Sequence, residues 1–256
     1  MTDMKCKLGL VFILLYGGGL FAISDTELLK QADALVSYYG TDFSAEYTIV
    51  QTKPGEGNST TIAAVFRRDS QETYVMIILQ PSISRGQGYL KQGKTLWFYD
   101  PESKRFNTTS SSDRFRNTNA RNSDFTRSTL SEDYKVVSGQ DVMLGKFKCR
   151  LLNLEAVVKG LEYPIMKIWI SEDGLIRKTE DYSLERRLLR TSAVVDYYQM
   201  GGRFVPKQLL FVEELLGAII NNVFIKEKTL VSIGTPKFDK VADSVYSKTF
   251  LENVNQ

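Results

Sequence analysis

Apolar and polar residues alternate with a period of two along much of the chain. Phe43, Tyr47 and Ile49 lie at alternate positions between polar residues, which is typical of a strand with one buried face. Residues 74–80 are apolar on both faces, as expected for a strand that is covered on both sides. Further strands are predicted at residues 60–68, around Leu90, Trp97 and Arg105, and near residues 134–142, 147–157, 165–171, 175–182, 189–199, 204–213 and 223–232.

Helical spacing occurs only near the two ends of the chain. Ser24 to Glu27 resembles a capping box, and the apolar residues that follow it predict an amphipathic helix of about four turns, closed by Gly40. Residues 239–251 predict a second covering helix. Residues 107–130 are too polar for a strand and predict a loop over the mouth of the sheet, with a short helix in it. This order of elements predicts an antiparallel meander curled around a helix.

The first 24 residues have the composition of a targeting segment. Lys5 and Lys7 precede an apolar core at residues 8–21, and the small residues at 22–24 fit a signal peptidase site. This core is shorter than the roughly 20 residues that a membrane-spanning helix needs, so cleavage after Ser24 is favoured over a retained anchor. Cys6 precedes the core, so it does not fit a lipidation site. We therefore predict a cleaved signal peptide, residues 1–24, and one soluble periplasmic domain, residues 25–256.

Charge and rare residue types narrow the function. The net charge of +3 is nearly neutral for a chain of 256 residues, which argues against nucleic acid as a partner. The chain has no histidine, which excludes His-based triads and His-ligated zinc and removes the usual general base at neutral pH. Signal cleavage would leave Cys149 as the sole cysteine, so no intramolecular disulfide is expected. We predict a protein that is not an enzyme, with no catalytic residues, no metal site and no cofactor.

Residues 85–134 carry a more specific pattern. A short strand and an aromatic strand are followed by a turn, a Ser-rich run and the triplet Ser123-Asp124-Phe125. This pattern resembles the outer-membrane lipoprotein-sorting family, the LolA/LolB-like proteins. The resemblance implies a mainly β fold with covering helices, an incomplete antiparallel β-barrel (half-barrel) of about eleven strands that encloses an apolar cavity. The matching residues are Gly88, Leu90, Leu96, Trp97, Tyr99, Pro101, Lys104, Arg105, Ser110, Ser111, Ser112, Ser123, Asp124, Phe125, Asp133 and Tyr134.

The same resemblance implies a function. It predicts a periplasmic carrier that binds the acyl chains of lipoproteins or lipids and moves them from the inner to the outer membrane. The implied partners are an acylated lipoprotein or phospholipid cargo, an inner-membrane transporter and an outer-membrane acceptor, with transient membrane contact by a monomeric protein. Two alternatives stay open, a periplasmic sensor of lipoproteins or envelope stress on the same fold and a structural envelope scaffold.

Large apolar side chains on the predicted strands are the candidates for the lining of that cavity. Each has an ordinary alternative, namely core packing beneath the covering helices. Ile168 and Trp169 are adjacent on one strand, so they cannot both face inward. The lipid-binding candidates are Tyr47, Ile49, Ile62, Phe66, Met76, Ile78, Leu90, Trp97, Tyr99 and Trp169.

Two polar or exposed features have alternative interpretations. Arg105, Arg121, Asp124 and Phe125 predict a rim that contacts lipid phosphate or an acidic partner, although such charges can simply pair within a solvated loop. A helix cap is a further role that suits Asp124. The apolar run at residues 213–220 predicts either an exposed hairpin tip that touches a membrane or a partner protein, or a buried hairpin.

Overall fold

The computed structural model describes residues 23–254, which form a large antiparallel sheet and a few short helices. The predicted signal peptide, residues 1–24, lies outside the described residues except for its last two positions, so its cleavage stays a prediction. The sheet curls without closing into a barrel. The predicted fold class, a mainly β half-barrel with covering helices, is confirmed.

Fifteen strands lie within residues 23–254, and thirteen of them form one sheet. This number exceeds the expected eleven or so, in part because the predicted strands at residues 189–199 and 204–213 each divide in two. The strands are β1 (Phe43–Lys53), β2 (Gly57–Arg68), β3 (Thr73–Gln80), β4 (Gly88–Gln92), β5 (Thr95–Asp100), β6 (Arg105–Thr109), β7 (Tyr134–Leu144), β8 (Phe147–Ala156), β9 (Ile165–Ser171), β10 (Ile176–Tyr182), β11 (Leu188–Val194), β12 (Tyr197–Met200), β13 (Arg203–Pro206), β14 (Gln208–Ile220) and β15 (Val223–Ile233).

The strand order divides the sheet into two arms. β1 to β6 lie side by side and form the first arm, and β7 to β11 form the second arm. The central hairpin of β14 and β15 joins them, because β15 pairs with β1, with Tyr47 opposite Ile233, and β14 pairs with β11, with Ser192 opposite Phe211. The predicted continuous meander is wrong in this respect, since the last two strands are in the middle of the sheet. β12 and β13 form a separate two-stranded sheet.

Each arm has an inner, concave face and an outer face, and successive residues of a strand point to opposite faces. On the first arm, Tyr47 and Met76 belong to the buried cluster of the inner face. Its outer face is also covered, because Leu251 in the C-terminal helix packs with Leu90 and Tyr99 in a second buried cluster. The first arm is therefore the middle of three layers.

The N-terminal helix, α1 (Asp25–Leu35), covers the inner face of the second arm. Ser24 caps it, since its Oγ accepts a hydrogen bond of 3.2 Å from the backbone N–H of Glu27. Leu29 and Ala32 are fully buried in a cluster with residues of β8 and β9. The predicted cap and the predicted apolar face of this helix are thus confirmed.

Both terminal helices are shorter than predicted. α1 has 11 residues, about three turns rather than four, and Gly40, at φ +83°, lies in the loop beyond it. Two further helices are α2 (Leu130–Asp133) and α3 (Lys248–Asn253). The predicted helix at residues 239–251 is broken because Ser247 starts a new one, its Oγ accepting a 3.1 Å hydrogen bond from the N–H of Phe250. Within residues 23–254, no helix is long and apolar enough to cross a bilayer.

Candidate functional site

A cavity of about 470 Å³ lies on the inner side of the sheet. Strands of the second arm and the central hairpin form its floor, α1 forms a wall, and residues 110–129 form its roof. This roof loop runs from β6 in the first arm towards β7 in the second, and so crosses the concave side of the half-barrel. The sequence predicted a loop in this position for residues 107–130.

The roof loop is anchored in the first arm by aromatic side chains. The ring centroids of Phe115 and Tyr89 are 5.2 Å apart, and those of Phe115 and Phe125 are 4.9 Å apart. Phe125 also contacts Tyr47, with 6.1 Å between ring centroids. Aromatic pairs at such distances contribute beyond the burial of their area. The inner face of the first arm is therefore filled by the protein's own side chains.

The far end of the roof loop is tied to α1. The buried carboxylate of Asp33 accepts a hydrogen bond from the hydroxyl of Ser128 and one of 2.6 Å from the N–H of Ser131. A buried carboxylate needs such partners, because without them its desolvation is costly. These bonds fix the roof above the second arm.

The floor of the cavity is largely apolar. It includes Val194, Leu209, Phe211 and Ile233, which lie on β11, β14 and β15. Ser192 is the polar exception on this part of β11, and within residues 23–254 its buried Oγ has no hydrogen-bond partner. Opposite this floor, the roof contributes hydroxyl groups from Ser110, Ser111, Ser112, Ser123, Thr126, Ser128 and Thr129.

A buried ionic cluster stands at one side of the cavity. Arg190 donates 2.8 Å and 2.7 Å hydrogen bonds to the carboxylates of Asp181 and Asp124. Burial opposes the charge of Arg190, but the two carboxylates raise the pKa of its guanidinium well above the ordinary value. Burial raises the pKa of Asp181 despite Arg190, and its Oδ1 has no hydrogen-bond partner within residues 23–254.

Arg121 extends this cluster to the roof loop. Its Nε donates to the Tyr163 hydroxyl at 3.1 Å, and its Nη2 donates to Glu162 at 3.0 Å. Glu213 lies nearby, 3.4 Å from the guanidinium of Arg114. Burial nevertheless raises the pKa of Glu213 above its ordinary value of 4.5, and so outweighs the attraction of Arg114, Arg121 and Arg190. The cavity thus has an apolar floor and a polar, charged roof, an arrangement that suits an amphiphilic ligand.

The structure separates the predicted lipid-binding residues into two groups. Tyr47 lines the cavity. Ile49, Met76 and Ile78 share its face of the sheet but belong to the filled core of the first arm. Their role in lipid binding stays a prediction.

The other six candidates lie on the outer face. Leu90, Trp97 and Tyr99 pack with the C-terminal segment, and the ammonium of Lys248 lies 4.5 Å from the ring centroid of Trp97. Ile168 is buried in the inner-face cluster with α1, so the adjacent Trp169 is the outward residue of that pair. These outer residues therefore do not line this cavity. The six are Ile62, Phe66, Leu90, Trp97, Tyr99 and Trp169.

The predicted rim residues also separate. Arg121 and Asp124 both line the cavity, whereas Phe125 is buried against the first arm and Arg105 is exposed on β6. Asp124 also has the predicted capping role, but within its own turn, since its Oδ2 accepts a 2.6 Å hydrogen bond from the N–H of Arg121. Whether any of them contacts lipid phosphate or a partner stays a prediction.

Sequence reasoning missed Arg190 and Asp181 in the ionic cluster, although Asp124 was a predicted rim residue. Arg190 alternates with Ser192 and Val194 along β11, so a charged residue occupies an inward position of a half-buried strand. That departure from alternation could have identified Arg190 from the sequence, whereas no comparable pattern identifies Asp181.

Cys149 is buried, and burial raises the pKa of its thiol despite Arg177. Residues 23–254 contain no group of three or more His, Cys, Asp or Glu side chains that could hold a metal ion.

Comparison with known proteins identifies the fold. A protein family described as "Uncharacterized protein" matches residues 70–253. No curated protein matches the chain. Among solved structures, a LolA superfamily protein from Nitrosomonas europaea is 20% identical with a TM-score of 0.73, covering 90% of this chain and 100% of its own. An outer membrane lipoprotein-sorting protein domain, so described, from Vibrio parahaemolyticus is 17% identical with a TM-score of 0.77, covering 89% and 98%.

A DUF1329 family protein from Desulfovibrio piger is also similar, with 15% identity, a TM-score of 0.74 and coverage of 88% of this chain and 97% of its own. At these identities the three structures show a shared fold. The resemblance inferred from residues 85–134 is confirmed at that level.

Proposed function

The chain belongs to the family described as "Uncharacterized protein", and we propose that it is a periplasmic carrier. It binds the acyl chains of lipoproteins or lipids in the half-barrel and moves them from the inner to the outer membrane. The proposal includes export with cleavage of residues 1–24, loading by an inner-membrane transporter and release to an outer-membrane acceptor. We further propose that the carrier works as a monomer and without enzymatic turnover.

The observation that carries this proposal is the two-sided cavity. Its apolar floor, with Val194, Leu209 and Phe211, suits an acyl chain, since each CH₂ removed from water contributes roughly 0.8 kcal/mol. The hydroxyl groups and Arg121 of the roof suit the polar end of the same molecule. A volume of about 470 Å³ is within the roughly 300–1,000 Å³ of small-molecule sites. The cavity therefore fits one small-molecule ligand, such as a single acyl chain with its polar end, and cargo with several acyl chains would require the roof loop to move.

Native mass spectrometry of the protein, purified gently from its own envelope, tests the proposal. We expect co-purified masses that match a phospholipid, an acylated peptide or a lipoprotein. An unliganded mass, together with failure of the protein to take up added lipid or a lipophilic dye, would overturn the carrier and favour a scaffold or a sensor.

A pair of neighbouring substitutions ties binding to this cavity. Leu209 and Leu210 are both half-buried on β14, but Leu209 lines the cavity and Leu210 points to the other face. Leu209→Trp should fill the cavity and weaken binding of a fluorescent fatty acid at least tenfold, and Leu210→Trp should leave binding unchanged. Equal binding by both variants would place the ligand elsewhere.

A further inference from the structure

The central hairpin projects beyond the rest of the sheet. The last residue pair between β11 and β14 is Arg190 with Glu213, and the last pair between β1 and β15 is Thr52 with Lys228. Beyond these pairs, the two strands of the hairpin pair only with each other. We call this projecting part, residues 215–226, the hairpin tip. A lone two-stranded ribbon is marginally stable in water, so its composition should reveal what surrounds it.

Both faces of the hairpin tip are apolar and exposed. Val223, Phe224 and Ile225 follow one another with 60%, 47% and 43% of their surface exposed, and Ile219 is 74% exposed. Successive strand residues point to opposite faces, so neither face of the tip is covered by the protein. Of the two interpretations of residues 213–220, the exposed tip is the correct one.

Other exposed apolar residues lie at the same edge of the sheet. The turns between β8 and β9 and between β10 and β11 both open there, because Ile165 pairs with Glu155 on one side and with Tyr182 on the other. These turns expose Val157 and Leu184. The hairpin tip is therefore the most prominent part of a wider apolar edge.

Basic residues surround this edge. Four exposed cationic side chains lie on the same turns and at the base of the tip, and none forms an ion pair within residues 23–254. The exposed acidic residues are Glu162 and Glu185 on these turns and Glu56 on the turn between β1 and β2, and Glu162 is paired with Arg121. Cations therefore outnumber anions next to the apolar residues. The four cations are Lys159, Arg186, Arg187 and Lys228.

We propose that this edge docks on an anionic lipid bilayer, with the hairpin tip immersed at the level of the head groups. A groove on a partner protein would cover one face of the ribbon, whereas a lipid interface surrounds both. Exposed Lys and Arg beside the tip are attracted to anionic lipid. The unpaired backbone groups along both edges of the tip restrict it to the interfacial layer, since they cannot be satisfied in hydrocarbon.

This docking does not rest on the carrier function, because the hairpin tip is not part of the cavity lining. It would, however, place the cavity near the bilayer. The turn that exposes Val157 continues into Gly160 and Tyr163, which line the cavity.

Flotation of the full exported protein with vesicles tests the proposal. The vesicles contain phosphatidylcholine alone or an equimolar mixture with phosphatidylglycerol, without cargo protein. We expect binding to the mixed vesicles that is at least tenfold stronger than to phosphatidylcholine and that weakens with added salt. The double variant Ile219→Glu with Phe224→Glu should lose at least tenfold in binding with an unchanged melting temperature.

The matched control is Val195→Glu, since Val195 is 72% exposed at the opposite edge of the sheet, and this variant should bind as the wild type does. Wild-type protein that binds neither vesicle, or a double variant that binds as well as the wild type, would overturn the proposal. Loss of self-association in the double variant, with vesicle binding unaltered, would instead assign the tip to contact with a second copy. Because no cargo is present, these outcomes are independent of cavity binding.

Discussion

The two arms of the sheet differ in what covers their inner faces. The first arm is filled by the roof loop, with Phe115 and Phe125 packed against Tyr47 and Tyr89. The second arm is covered by α1, which leaves a cavity of about 470 Å³ between helix, roof loop and strands. In this protein, the inner face with the aromatic cluster is therefore the closed half, and the accessible volume lies above the strands of the second arm and the central hairpin.

The largest effect should follow from emptying the filled arm. Phe115 is fully buried, so Phe115→Ala removes a ring that anchors the roof loop. We expect a loss of about 3–5 kcal/mol in the free energy of unfolding, measured with denaturant. Phe224→Ala, on the exposed hairpin tip, is the control and should change stability by about 0.5 kcal/mol or less. Similar losses in both variants would mean that the roof loop does not pack as described.

Breaking the ionic cluster should have the next largest effect, this time on the second arm. Asp181→Ala leaves the buried Arg190 with Asp124 alone, and we expect a loss of about 3 kcal/mol in the free energy of unfolding. Asp141→Ala is the matched control, because Asp141 pairs with Arg150 but is almost fully exposed. Solvent screens this exposed pair, so its loss should change stability far less than the loss of Asp181. An equal loss in both variants would contradict the assigned burial of the cluster.

A smaller effect is expected at the wall of the cavity. In a chain that begins at residue 23, Ser24→Ala should cost about 1 kcal/mol of stability, because it removes the cap of α1. Ser24→Asp should restore most of this loss, which would distinguish a capping role from a packing role. Thermal unfolding of the wild type and of both variants measures these changes in stability. Equal melting temperatures for all three proteins would contradict the capping role of Ser24.

The smallest effect concerns pH. Burial raises the pKa of Glu213 above 4.5, so the folded state retains a proton that the unfolded chain releases. The stability linked to this group is present below the unfolded pKa and is lost as pH rises through the folded pKa. Glu213→Gln should therefore gain stability relative to the wild type as the pH rises above 4.5. Urea unfolding of both proteins across this range measures the difference, and a constant difference would refute the assignment.

Local patterns predicted most elements of the fold. Alternation located β1, and a run that is apolar on both faces located β3. The period of two also places Trp97 and Tyr99 on one face of β5, but it does not tell which face is the inner one. Both faces of the first arm are covered, so the outer residues are as apolar as the inner ones.

Non-local features were beyond the sequence pattern. The pairing of β15 with β1 joins residues far apart in the chain, and no local signal specifies it. The candidate site depends on the same pairing, because Ile233 on β15 and Arg190 on β11 meet at one cavity only after the central hairpin is in place. Tyr47, Arg121 and Asp124 were predicted for the site, whereas Tyr163 and Asp181 were not.

The central position of β15 has a consequence for synthesis of the protein. Tyr47 opposes Ile233, so the first strand must wait until almost the whole chain has emerged from the ribosome or translocation pore before it finds its second neighbour. Folds dominated by such distant pairings form slowly. We expect a chain that stops before Val223 to remain sensitive to protease, because its two arms would lack the strands that join them.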